Sequence, residues 1–160
     1  MTSKAKIVIT AHDNRPYKEG LISGTPSPGT VMQIKAATEP QSGRFTWEAY
    51  NRDADSNRPQ GPLAILCENW KLGKTTSDAY VDGEMGLLWV PQAGEELLVL
   101  AANVAGTSDA FAIGDILIVD DGTGKIIHTT GSPEIEPFVA IETVAAIAAD
   151  TLIEVMYTGY

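Results

Sequence analysis

The sequence predicts a mainly β protein, a small barrel or sandwich preceded by an extended N-terminal arm and carrying at most one short helix. Short apolar runs recur about every ten residues, the spacing of strands in sandwiches and barrels. They are bounded by turn formers, with 15 Gly and 9 Pro in 160 residues. A hydrophobic share of 44% is enough for one proper core and argues against wholesale disorder. The expected unit is a single compact domain of residues 30–160 behind an arm of residues 1–29.

The arm mixes Lys, Asp, Asn, Arg, Pro and Gly around one apolar patch, "KIVIT", and ends in the Pro/Gly hinge "SGTPSPGT". "TVMQIKAAT" (30–38) reads as the first strand. A long polar excursion then holds Trp47 and Tyr50, and "LAILCENW" (63–70) reads as a buried strand closed by the turn "KLGK". "GLLWV" (86–90) and "LLVLAANV" (97–104) flank the turn "PQAGEE". Further on, "GDILIV" and "KIIHTT" flank "DDGTGK". "PFVAIETV" (137–144), the small-residue turn "AAIAAD" and "TLIEVMY" (151–157) complete the set. Residues 141–156 also scan as an amphipathic, Ala-rich helix, so strand-turn-strand and helix both stand there. "AYVDGEMGLLWV" and "AFAIGDILIV" share an A-aromatic-x-x-G-acid-aliphatic pattern and read as two similar loop-to-strand entries, too few for a solenoid.

Charge is divided along the chain. The first 74 residues carry ten Lys/Arg against seven Asp/Glu, a net +3, whereas the last 86 carry one against fourteen, a net −13. The acidic part would repel nucleic acid and anionic lipid, so neither is expected as a direct partner. Two readings stand: an oriented, one-sided docking role, and an acidic surface that keeps the protein soluble. Ile7-Val8-Ile9 is far shorter than a signal-peptide core, and no run approaches the ~20 apolar residues of a membrane span. Synthesis in a cytoplasm without a membrane partner is expected.

The chemistry-bearing motifs fail on their spacing. "GTGK" (122–125) lacks the upstream glycine of a phosphate loop, where Val119 stands, and the following hydroxyl, where Ile126 stands; Asp120 and Asp121 would repel phosphate, so the stretch reads as a hairpin tip. "DADSN" (53–57) begins like a calcium loop, but Arg58 replaces the turn glycine and Ala64 the bidentate glutamate. His12, His128 and Cys67 have no ligand-spaced neighbours for zinc. Cys67 reads as a buried small hydrophobe, and the acidic pairs Glu95-Glu96 and Asp120-Asp121 as solvated turns. Trp70 and Trp89 read as core or interface residues; Trp47, in its polar loop, stands open between core and sugar platform. No nucleophile motif, metal or cofactor is expected, and the protein is expected not to be an enzyme.

The succession "PGTVMQIKAAT", "GPLAILCENW", "AYVDGEMGLLWVPQAGEELLVLAAN", "FAIGDILIVDDGTGKII" and "PFVAIETVAAIAADTLIEVMY" resembles the capsid decoration (cement) proteins of tailed bacteriophages over roughly residues 28–160. The resemblance implies a β-tulip-like barrel, a homotrimer, and a virion location on the outer capsid surface, where the protein would clamp the major capsid protein and stabilise the DNA-filled head. It also implies an N-terminal arm that orders on the capsid. The expected capsid-binding residues are Lys4, Lys6, Ile7, Val8, Ile9, Arg15, Tyr17, Lys18, Arg44, Arg52 and Arg58, with "KIVIT" adding a strand to a neighbour's sheet edge. A tail or head-to-tail accessory barrel, and a metal-dependent trimeric β-barrel hydrolase, are the alternatives.

Overall fold

A computed structural model describes residues 6–11, 16–35, 44–51, 62–102, 110–128, 137–147 and 149–159. Its strands are β1 (Val8–Thr10), β2 (Lys18–Ile22), β3 (Val31–Ile34), β4 (Thr46–Ala49), β5 (Ala64–Cys67), β6 (Met85–Trp89), β7 (Glu96–Ala101), β8 (Ile116–Val119), β9 (Ile126–His128), β10 (Phe138–Ala140) and β11 (Thr151–Tyr157). The only helical element among the described residues is the 3₁₀ turn Trp70–Leu72. The β-barrel class holds, and the barrel is doubled.

Strands β2-β4-β3-β5-β6 close one barrel. Strands β7-β11-β10-β8-β9 follow the same course, with Ala101 pairing in parallel with Ile126 to bring β9 back to β7. The two connectivities are identical. If β7 to β11 are matched in order to β2 to β6, every antiparallel pair has its counterpart, and the parallel pair β7–β9 matches the parallel pair β2–β4.

Alternation along the strands separates two cores. Ile22, Met32, Trp47, Ala64, Leu66 and Leu88, drawn from all five strands, fill the first barrel. The opposite faces of β3, β5 and β6 carry Val31, Ile65, Cys67, Leu87 and Trp89, which join one continuous cluster with the interior of the second barrel. Strands buried on both faces read as unbroken apolar runs, which is why "LAILC" and "LLVL" stand out in the sequence.

Backbone contacts weld the junction. Gly29 donates to the Leu66 carbonyl (2.8 Å) and accepts from Leu100 N (2.9 Å). The "DDGTGK" segment is the tip of the β8–β9 hairpin, as expected: Val31 N donates to Gly124 O (2.7 Å) and Gly122 N to Tyr50 O (2.9 Å). Gly124 has φ +65, and a Cβ there would strike the Val31 carbonyl, so only glycine fits.

The two similar loop-to-strand entries prove to be one turn used three times. In Val81–Glu84, Gln92–Glu95 and Ala112–Asp115 a glycine with φ of 79, 89 and 94° holds the third place. The fourth residue's N–H bonds the first residue's carbonyl, and its carboxylate accepts the first residue's N–H at 2.8, 2.9 and 2.7 Å. A type II turn needs that positive φ, and the acidic side chain satisfies an amide that the turn would otherwise leave open.

Several expectations are corrected. No structural boundary falls at residue 29: Lys18–Ile22 is a barrel strand, where Gly20 is required because a Cβ would collide with the Trp47 indole. "KIVIT" does not wait for a neighbour, since Val8–Thr10 pairs with the chain's own β7. The 141–156 helix does not form: Thr151–Tyr157 is a strand whose burial alternates, with Ile153, Val155 and Tyr157 inward. Trp47 is core, at 5% exposure, and Trp70 is the exposed tryptophan, at 55%.

Candidate functional site

The expected capsid-binding residues fall into three sets. Lys4, Arg15, Arg52 and Arg58 lie outside the described residues, as do His12 and "DADSN". Lys6, Val8 and Ile9 lie on or beside β1, which ends the six-stranded sheet and, among the described residues, pairs only with β7. Ile9 is 45% exposed and Lys6 is exposed. Ile7 does not belong with them: it is wholly buried in the core, where its N–H donates to Glu68 Oε2 (3.1 Å) and its carbonyl accepts from Leu98 N (2.7 Å).

Tyr17, Lys18 and Arg44 form the third set, on the first barrel. Tyr17 packs edge-on between Trp70 (5.2 Å) and Trp89 (5.3 Å). Burial, with Cys67 and then Glu68 nearby, pushes its phenol up to about 12. It therefore stays neutral throughout the physiological range. Beside it, Glu19 of β2 binds Lys71 (2.9 Å) and Arg44 (3.3 Å). The hydrogen bond from Lys71, its charge and then that of Arg44 hold the Glu19 carboxyl below the usual range. Exposed Phe45 follows Arg44, and exposed Trp70 and Leu72 flank Lys71. The result is an open surface of apolar side chains interleaved with cations, a composition suited to protein contact.

Charge differs sharply between the stretches of sequence that hold the two barrels. Residues 16–90 carry seven Lys/Arg against nine Asp/Glu, a net −2, whereas residues 91–160 carry Lys125 against eleven, a net −10. Lys125 is engaged with Asp150. Residues 1–15 carry three cations against Asp13.

A cleft of about 450 Å³ opens where the barrels meet, lined by Ser23–Ser27, Thr30, Glu48, Asn51, Thr123 and the Lys125–Asp150 pair. Its hydroxyls and carboxylates can bind polar groups. Its described lining includes no Cys or His. Among the described residues no cluster of three His, Cys, Asp or Glu could hold a metal ion. Cys67 is buried, and desolvation first, then Glu68, pushes its thiol up, away from reactivity. The buried Glu95 carboxylate accepts from Trp89 Nε1 (2.8 Å) and Gln92 N (2.9 Å), a structural role.

Residue type alone does not reveal the exposed Trp70 and Leu72; the available signal was "ENWKLGK", an apolar pair split by lysine and closed by glycine, which suits a projecting turn better than a strand end. No protein-family model matches the chain, and no curated protein matches it.

Proposed function

We propose that the chain is a capsid decoration protein of a tailed bacteriophage, acting as a homotrimer on the outer surface of the major capsid protein lattice to stabilise the DNA-filled head. The observation that supports this reading is the separation of charge between two fused barrels. The near-neutral stretch 16–90, which forms the first barrel, suits attachment, as does β1, which extends the second barrel's sheet and among the described residues leaves one edge unpaired; the rest of that second unit, within a stretch of net −10, suits exposure. β1 with Lys6 and Ile9 on the second sheet, and Lys18 and Arg44 on the first barrel, face the shell, and exposed acidic side chains such as Asp121 face solvent. The edge of β1 offers main-chain groups to a capsid segment, and side chains on either side supply specificity. Each bound molecule bridges capsid subunits, so its binding free energy must be lost before the lattice opens.

Reversing Lys6, Lys18 and Arg44 together to Glu tests the reading. Co-sedimentation with undecorated heads should fall at least tenfold, while Asp120→Lys with Asp121→Lys leaves attachment intact. Attachment blocked by the aspartate changes and untouched by the triple reversal would reverse the orientation, and no attachment of the native chain to any head would end the proposal.

A further inference from the structure

The matched barrels leave one face unaccounted for. In the first barrel, the cross-strand row Val31–Ile65–Trp89 runs over β3, β5 and β6, and all three residues are at most 4% exposed because the second barrel covers them. The same three positions in the second barrel are Ile116–Val139–Met156, on β8, β10 and β11. This row points away from the barrel interior, which Leu117, Phe138, Ala140 and Val155 fill. Among the described residues nothing covers it to the same degree: Ile116 is 45% exposed, and Val139 and Met156 are half-buried. Ile118 and Ile127, paired with each other, extend the face across β9, and Ile113, 68% exposed, lies in the turn that leads into β8. Three interstrand steps make it about 14 Å wide.

The rim is acidic. Glu96 lies directly opposite Met156 in the same row, Glu154 follows two residues before Met156 on the same side of β11, and Asp115 precedes Ile116. An apolar centre with a carboxylate rim fits a partner with an apolar centre and cations. This chain carries such a surface on its other barrel: Trp70 and Leu72, 55% and 54% exposed, project with Lys71 between them, whose ammonium is paired with Glu19 while its side chain is 60% exposed.

We propose that copies of this chain associate head to tail, the Trp70–Lys71–Leu72 knob of one copy seating on the Ile116–Val139–Met156 face of the next. The fold already buries this face once, in the first barrel, with a barrel from the same chain. A second copy supplies the missing cover for the second barrel. Such a contact is heterologous, using different surfaces on the two copies, so it builds a ring or an open chain rather than a two-fold dimer. Because opposite charges meet, added salt weakens it.

Two exposed-site variants of the purified full chain test the contact without any capsid, so its failure and that of the attachment reading are separable. Trp70→Glu removes the knob and Ile116→Lys the face. Native protein should self-associate in light scattering as concentration rises, and each variant alone should do so at least tenfold more weakly. Mixed, the two should form a 1:1 dimer, since one retains a face and the other a knob. Circular dichroism that matches the native chain establishes that each variant is folded. Lys71→Glu, which reverses the knob's charge and also breaks its pair with Glu19, should weaken association and reduce its salt dependence. A native chain that stays monomeric at its highest soluble concentration, association that strengthens with salt, or folded variants that associate normally or fail to complement each other would overturn the proposal.

Discussion

Ile65 and Val139 occupy the same position in two barrels of the same connectivity, each at the centre of a three-residue outward row, yet Ile65 is fully buried and Val139 is half-exposed. The difference teaches that topology sets which face is apolar, while what docks on that face sets what it contributes to stability. In the first barrel the row is part of the fold. In the second it is surface: Ile116 is 45% exposed, and Val139 and Met156 are half-buried.

The sharpest way to break this comparison is to truncate both positions. Ile65→Ala should cost about 2–5 kcal/mol in urea unfolding, the range for deleting a buried aliphatic side chain. Val139→Ala should cost under about 1 kcal/mol in dilute solution. Equal losses would mean that the faces are equivalent after all.

The junction should be nearly as sensitive. Gly124→Val places a β-branched side chain at positive φ against the Val31 carbonyl, where the hairpin docks on the first barrel. About 3 kcal/mol or more of destabilisation is expected, from backbone strain and a lost interbarrel hydrogen bond. Gly122→Ala, also at positive φ but with nothing within 4 Å, should cost about 1 kcal/mol.

The three acidic turns give a smaller contrast. Glu95 is fully buried and holds the Trp89 indole, so Glu95→Gln should cost about 1–3 kcal/mol. Asp115→Asn, in the equivalent turn at the surface, should cost about 0.5 kcal/mol in the same urea unfolding.

The smallest effect concerns pH. The Glu19 pKa is lowered in the folded chain by Lys71 and Arg44, so its contribution is present above the unfolded-state value of 4.5 and is lost as pH falls through the lower folded value. Carboxyl NMR titration should place Glu19 below 4.5, and Lys71→Met should move it back towards that value.

The strands legible in the sequence are those buried on both faces, "AILC", "GLLW" and "LLVL", where interior and interbarrel packing both demand apolar residues. "KEGLI" and "TWEA" were not legible, because β2 and β4 mix charges and a glycine whose purpose is visible only when Trp47 is seen above it. The doubling left almost no trace, since a barrel constrains alternation and not identity; the x-x-Gly-acid turn is the surviving sign. Of the candidate surface, the basic side chains of Lys6, Lys18 and Arg44 were readable as charge. The Trp70 knob was not, because exposure is decided by a 3₁₀ turn and not by residue type.

The function of the surfaces is tested most directly by weighing undecorated, DNA-filled heads before and after incubation with the purified chain, and imaging them. The account predicts a saturable gain in mass, density confined to the outer surface at repeated lattice positions, and heads that withstand a higher temperature before releasing DNA. Heads that gain no mass, or that gain it only at a tail vertex, would contradict it.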